Sequence, residues 1–202
     1  ETPPDDAERI GEALTTDEVA WQVFTATTGP QPVQASALLV SGALGEYEQA
    51  EAPGTTFAAV WARPLDGVGP ELFSVHTVPP LPELVPTWRA ELRTVAQLCD
   101  RIENVVVAGD LNATVDHATL RNAGCDAVAP GSGGAGTWPA QRPALLGAAI
   151  DHVLVQPDRW RGTDARVLDV SGGDPGGRGD HRARAAAGVA DEQHPAVLRV
   201  RV

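Results

Sequence analysis

The stretch Val105-Val106-Val107-Ala108-Gly109-Asp110-Leu111-Asn112-Ala113-Thr114 contains both a core strand and the first candidate site residues. Its first four residues are apolar and three are β-branched, which is typical of a buried strand too short to be a helix. Asp110 and Asn112 follow at a spacing of two, which in an extended chain directs both side chains to one side. They would offer oxygen ligands to a divalent cation and an amide to a phosphate or a nucleophile. The alternative is a strand that runs into an Asx turn, because Asp and Asn also favour turns.

Three further segments carry acids or imidazoles at predicted strand ends. Upstream, Leu72-Phe73-Ser74-Val75-His76-Thr77 predicts a strand that delivers a histidine; downstream come Ile150-Asp151-His152-Val153 and, after a glycine-rich loop, Gly179-Asp180-His181-Arg182. In this order the four segments resemble the endonuclease/exonuclease/phosphatase superfamily. Its members include DNase I-like nucleases, abasic-site endonucleases, neutral sphingomyelinases and inositol polyphosphate phosphatases. The resemblance spans nearly the whole chain up to His181, and the combination is far more specific than any single segment.

The resemblance implies a DNase I-like fold of the α/β (α+β) class, a two-layer β-sandwich flanked by helices. The residue patterns agree, since predicted strands recur every 10 to 20 residues, at 21–25, 34–40, 57–63 and 71–76. Helices are predicted near the amino terminus, over 86–102 and at 118–123, and two strands over 183–202. A chain of 202 residues with 43% apolar composition can bury one core, so we predict a single domain over residues 1–202.

The composition bears on partners and compartment. A formal net charge of −12 does not favour non-specific attraction to a polyanion, although a bound metal could supply local positive charge. The two cysteines, Cys99 and Cys125, lie outside any metal-binding spacing and could be buried thiols or a disulfide. The resemblance is closest to extracytoplasmic actinobacterial members and favours the disulfide.

The first residues are similar to the end of a family motif. There a strand ends in Gln-Glu-Thr or Gln-Glu-Val, and the Glu is a principal metal ligand; Glu1-Thr2 resembles that ending. Glu1 would then be a metal ligand, and the family's first strand, with its active-site Asn, would lie outside this sequence. The alternative is an ordinary exposed terminus. We therefore expect an amino-terminally incomplete domain, extracytoplasmic or secreted, released from a membrane-anchored precursor.

The resemblance also implies the roles of individual residues. Glu1 and Asp180 would hold Mg²⁺ or Mn²⁺, for which oxygen ligands are suited. Trp138 and Arg178 would contact the substrate, although Trp138 could equally wedge its loop against the sandwich. Alternation along the strand makes His152 structural. The implied catalytic residues are His76, Asp110, Asn112, Asp151, Asp180 and His181.

The expected activity is metal-dependent hydrolysis of a phosphodiester by in-line attack of water. Asp110, aided by Asn112, would orient or deprotonate the water, while His76 and His181 would stabilise charge on phosphorus. The substrate could be a nucleic acid, a phospholipid or a small phosphodiester, and we expect a monomer without an obligate protein partner. The alternatives are a catalytically impaired binding domain that retains the fold, or a phosphatase acting on a phospholipid or small molecule.

Overall fold

The computed structural model of the chain describes residues 2–128, 136–139, 146–169, 183–191 and 197–201. The helices formed by these residues are α1 (Pro4–Leu14), α2 (Val85–Arg101) and α3 (Ala118–Arg121). The strands are β1 (Trp21–Thr27), β2 (Ala35–Ser41), β3 (Tyr47–Ala50), β4 (Val60–Pro64), β5 (Glu71–Ser74), β6 (Val105–Asp110), β7 (Asp126–Ala127), β8 (Asp151–Val155), β9 (Trp160–Asp169), β10 (Ala183–Asp191) and β11 (Val197–Arg201). No helix within these segments is long and apolar enough to span a bilayer.

The central layer is a six-stranded sheet in the order β3-β4-β5-β6-β8-β7. Strands β5 and β6 are parallel, and their crossover connection contains α2, as parallel pairing requires. Strand β8 is antiparallel to β6. The carboxyl ends of β5 and β6 and the amino end of β8 therefore meet at one edge of this sheet, where the sequence places His76, Asp110 and Asp151.

The second layer consists of the antiparallel pair β1–β2, which lies against β4 and β5, and the antiparallel sheet β11-β10-β9. Helix α1 packs against β1 and β2. The α+β class with two layers of β-sheet and few helices is thus confirmed. The predicted pair of strands near the carboxyl terminus corresponds to β10 and β11. Strand β9 carried no prediction, because its glycine and charged residues break the alternation that marks a strand.

The core lies on both faces of the central sheet. Val105 and Val107 pack towards α2, whereas Val106 and Ala108 pack towards β1 and β2. Successive side chains of β6 thus point to opposite faces and all four are buried, which explains a continuous apolar run instead of an alternating one. The predicted apolar stripe of α2 is also buried and comprises Leu92, Val95, Ala96 and Cys99.

A disulfide joins Cys99 of α2 to Cys125, between α3 and β7, so the two cysteines are not free thiols. The bond closes a loop with a sequence separation of 26 residues and a Cα–Cα distance of 5.2 Å. Loop closure of this length restricts the unfolded chain and stabilises the fold by about 3.5 kcal/mol in the chain-entropy model.

We expect the double substitution Cys99→Ala/Cys125→Ala to lower the free energy of unfolding by roughly 3 kcal/mol, because the unfolded chain regains that entropy. Urea denaturation with and without dithiothreitol measures the effect. The reductant should destabilise the native chain and leave the double variant unchanged. Equal stability of the two proteins under oxidising conditions would contradict a stabilising disulfide.

Candidate active site

His76 lies just beyond β5, on backbone that still pairs with β6. The sequence predicted a strand through His76, whereas β5 ends at Ser74. The pairing nevertheless continues, since the Val75 N–H donates to the Ala108 carbonyl (2.9 Å) and the Thr77 N–H donates to the Asp110 carbonyl (3.0 Å). These bonds hold the imidazole, which is 7% exposed, beside the end of β6.

Asp110, at the end of β6, lies next to both His76 and Asp151. Its Oδ2 lies 3.9 Å from His76 Nε2, and its partner across β6 and β8 is Asp151. Burial and, to a smaller extent, the Asp151 carboxylate raise the pKa of Asp110 to about 7, and the bond from the Asn112 N–H opposes the shift. The site therefore contains a carboxyl group that exchanges protons near neutral pH.

Burial acts on His76 in the opposite direction. It lowers the pKa of the imidazole to about 4, although a hydrogen bond with the Val33 backbone opposes the shift. The ring is therefore neutral at pH 7. A neutral imidazole has one N–H donor and one acceptor nitrogen. The ring of Phe57 packs against it, with 4.6 Å between ring centroids.

Asn112 does not extend the strand as the spacing of two predicted. The backbone turns at this residue, whose φ of 47° lies in the left-handed region. The Asp110 Oδ1 accepts the Asn112 N–H (2.8 Å), which is the Asx-turn alternative, and the Asn112 Nδ2 donates to the Thr77 carbonyl (2.8 Å). The extended geometry behind the spacing of two is therefore absent at Asn112, because that period applies only to extended backbone. The carboxamide instead ties β6 to the His76 segment.

The start of β8 is held by a threonine that the sequence did not single out. The buried Thr137 hydroxyl accepts the N–H groups of Ile150 (3.1 Å) and Asp151 (3.3 Å). The next residue, Trp138, is 62% exposed, so its ring is not wedged into the sandwich. An exposed indole therefore lies close in the chain to the residue that positions Asp151.

His152 points away from this cluster. It is buried, and one ring nitrogen, Nε2, lies 2.8 Å from the Ala113 carbonyl oxygen. Burial lowers its pKa. This environment is that of a structural histidine, as the alternation along the strand indicated.

The structure brings together four of the candidate residues, namely His76, Asp110, Asn112 and Asp151. The predicted site residues Glu1, Arg178, Asp180 and His181 lie outside the described residues. Within the described part of the chain, no group of three or more His, Cys, Asp or Glu side chains could hold a metal ion. The cross-strand neighbours Asp110 and Asp151 nevertheless offer hard carboxylate oxygens, a donor set that fits a divalent cation completed by further acids.

The model of the Endonuclease/Exonuclease/phosphatase family matches residues 1–185. The chain belongs to this family. No curated protein matches the chain. The family comprises nucleases, phosphodiesterases and phosphatases, so its members are hydrolytic enzymes.

Solved structures from this family share the fold. A 3′–5′ exonuclease from Neisseria meningitidis is 17% identical, with a TM-score of 0.59 over 92% of this chain and 84% of that one. A 3′ phosphatase from Neisseria bound to a product DNA hairpin is 16% identical, with a TM-score of 0.55 over 92% and 82%. A mannosyl-6-phosphatase from Bacteroides thetaiotaomicron is 13% identical, with a TM-score of 0.53 over 97% and 81%. At these identities the likeness shows the fold alone.

Proposed function

We propose that this family member is a metal-dependent phosphoesterase that hydrolyses a phosphodiester by in-line attack of water. The observation that supports it is the approach of the buried His76 to the partly buried Asp110 at the edge where β5, β6 and β8 meet. Two facing carboxylates and a neutral imidazole in one site offer a proton acceptor and a hydrogen-bond donor. Both are needed for water attack on phosphorus.

Each described group has a role in this mechanism. Asp110, with a pKa of about 7, orients the attacking water and accepts its proton near neutral pH. Burial, and then charge repulsion from Asp151, keep that pKa high. His76, neutral at this pH, donates its N–H to a phosphoryl oxygen whose charge grows in the transition state. Asn112 holds the Asp110 carboxylate through its backbone N–H.

The remaining roles fall on residues assigned from the sequence. Glu1 and Asp180 would hold a Mg²⁺ or Mn²⁺ ion, whose chemistry when bound is to polarise a phosphoryl oxygen and stabilise the leaving oxygen. His181 would donate a second hydrogen bond to the phosphate, and Arg178 would contact the substrate. The exposed Trp138 ring offers a stacking surface for a substrate group.

The substrate class has two candidates. A nucleic acid is plausible because a structural neighbour was solved with a DNA hairpin. A small phosphoester is the second candidate, and local charge favours it. The chain has no Lys, and the described loops around the site, 75–84, 110–117, 136–139 and 146–151, contain no Arg. Binding of a long polyanion rests largely on such cations.

The disulfide bears on the proposed compartment. The Cys99–Cys125 bond supports an extracytoplasmic or secreted location, because disulfides persist in oxidising environments. A monomeric state is part of the same proposal.

The activity test is a substrate panel measured with Mg²⁺ and with EDTA. The panel contains bis(p-nitrophenyl) phosphate, p-nitrophenyl phosphate, a DNA hairpin and phosphatidylcholine vesicles. We expect Mg²⁺-dependent turnover of the diester that EDTA abolishes. Turnover of the monoester alone would support the phosphatase alternative. No turnover of any substrate would contradict the proposed function.

We expect Mg²⁺ to raise the melting temperature, because a ligand bound only by the native state stabilises it by about 2.7 kcal/mol at 100 times its dissociation constant. Differential scanning calorimetry with MgCl₂, against NaCl at equal ionic strength, measures the shift, and EDTA should reverse it. A melting temperature indifferent to Mg²⁺ would favour the binding-domain alternative.

A further inference from the structure

Helix α2 contains a buried carboxylate that the proposed mechanism does not use. Glu91 is 4% exposed and lies on the same helix face as Trp88 and Leu92. Its Oε1 accepts the Thr56 N–H (2.7 Å) and its Oε2 accepts the Val78 N–H (2.8 Å). Burying a carboxylate is costly unless it is hydrogen-bonded, so these two bonds are what makes an acid tolerable here.

The two bonded segments both adjoin His76. Val78 follows it by two residues, so the bond to Oε2 fixes the backbone that carries the imidazole. Thr56 precedes Phe57, whose ring packs against the imidazole. One carboxylate therefore holds both the backbone of His76 and the aromatic ring on its face.

The same helix also fixes the Asp110 side of the pair. Trp88 lies nearly one turn before Glu91 on the same face, and its Nε1 donates to the Leu111 carbonyl (3.3 Å). The Thr77 hydroxyl donates to that carbonyl as well (2.7 Å). Leu111 directly follows Asp110, so α2 is hydrogen-bonded to both segments whose side chains meet in the site.

We infer that Glu91 is a positioning residue that sets the distance and orientation of the His76 imidazole relative to Asp110. Its effect on turnover rests on the proposed function, because it acts through the role of His76. Its effect on the geometry of the imidazole does not depend on any activity.

The test is Glu91→Gln, which keeps the size of the side chain and replaces one acceptor oxygen by a donor nitrogen. One of the two backbone N–H groups then faces another donor. We expect kcat on bis(p-nitrophenyl) phosphate to fall roughly 10- to 100-fold, the scale of a small misplacement of a catalytic group, with KM little changed. In a His76→Ala background the same substitution should have no further effect, because the two residues act as a unit.

Two matched controls separate positioning from stability. Val95→Ala removes buried apolar volume from the same helix without touching these hydrogen bonds, and Glu103→Gln makes the same chemical change at an exposed site. Both should retain the native kcat. A fall in kcat for Val95→Ala as large as for Glu91→Gln would overturn the inference, as would an undiminished effect of Glu91→Gln in the His76→Ala background.

Nitrogen NMR of the His76 imidazole in the metal-free protein gives a readout independent of turnover. The ring resonances should shift in Glu91→Gln and not in Val95→Ala; unshifted resonances would refute the positioning role. If the native protein turns over no substrate, the proposed function fails and this measurement alone decides the inference. Should Glu91→Gln not fold, Glu91→Asp replaces it with the same expectations, because the shorter acid reaches only one of the two N–H groups.

Discussion

Replacing Asp110 by Asn should lower phosphodiester hydrolysis about 100- to 1,000-fold, the usual effect of removing one well-placed catalytic group. The amide cannot accept the proton of the attacking water, yet its oxygen can still accept the Asn112 N–H that Asp110 Oδ1 accepts now. The turn after β6 should therefore survive. Steady-state assays with Mg²⁺ measure the loss. His76→Ala should cause a loss of similar kind, because it removes the donor beside Asp110.

Asp110→Asn should also stabilise the metal-free protein above neutral pH. Burial and Asp151 raise the pKa of Asp110 to about 7 from its ordinary value of 3.8. A group whose pKa is raised by folding contributes stability that is fully present below its pKa in the unfolded chain. That stability is lost as the pH rises through its pKa in the folded protein. At pH 8 the native protein has lost this stability, because its buried Asp110 is charged. The Asp110→Asn substitution removes the buried charge and therefore its energetic cost. The gain is at most roughly 4 kcal/mol, from about 1.4 kcal/mol per pKa unit.

Thermal unfolding in EDTA at pH 4 and pH 8 checks this expectation. The lowered pKa of His76 gives an opposite slope, with stability present above pH 6.5 and lost as pH falls through about 4. That slope is common to both proteins and cancels in the comparison. The control is Asp116→Asn, an exposed acid six residues away, which should change neither rate nor stability. A fully active Asp110→Asn protein, or one less stable at pH 8, would show that the site is not built around this carboxyl group.

Replacing Gly109 by Ala should disrupt the pairing between β6 and the segment that contains His76. A Cβ at this position would lie 1.7 Å from the Val75 carbonyl oxygen and 2.8 Å from its carbon, and both are backbone atoms that cannot rotate away. The chain would have to separate β6 from the His76 segment and break the bond between the Val75 N–H and the Ala108 carbonyl. We expect a loss of at least about 4 kcal/mol, the range reached when a core element is disrupted. Urea denaturation and the soluble yield measure it.

Gly54→Ala is the matched control, because a Cβ there has no heavy atom within 4 Å. It should change the free energy of unfolding by no more than about 0.5 kcal/mol. A Gly109→Ala protein with native stability would mean that the His76 segment does not approach β6 as closely as described. The spacing of His76 and Asp110 would then need another explanation.

The predictable parts of this protein are those with local causes. The apolar run before Gly109 predicted β6 because four consecutive buried residues need a strand covered on both faces. The stripe from Leu92 to Cys99 predicted α2 because one helix face is apolar. The order of His76, Asp110 and Asp151 along the chain indicated the family, and the meeting of their strand ends followed from its fold.

The unpredicted parts depend on contacts between distant segments. In the sequence, Glu91 is an ordinary helical acid. It has two hydrogen-bond donors only because the Thr56 and Val78 backbones approach it in the fold. No local sequence pattern marks Thr137 either. Its hydroxyl accepts the N–H groups of Ile150 and Asp151, which belong to another segment of the chain. A pattern of residue types cannot show which remote backbone group lies within hydrogen-bonding distance.

The sequence by itself determined the family, the strands that carry the acids and imidazoles, and the chemistry those groups can perform, because these depend on residue type and order. Only the tertiary structure decided the protonation states of His76 and Asp110 and the hydrogen bonds that position them. The pKa values of His76 and Asp110 move in opposite directions because burial disfavours a charged imidazole and a charged carboxylate alike. Burial is a property of the packed fold, and no local stretch of sequence contains it.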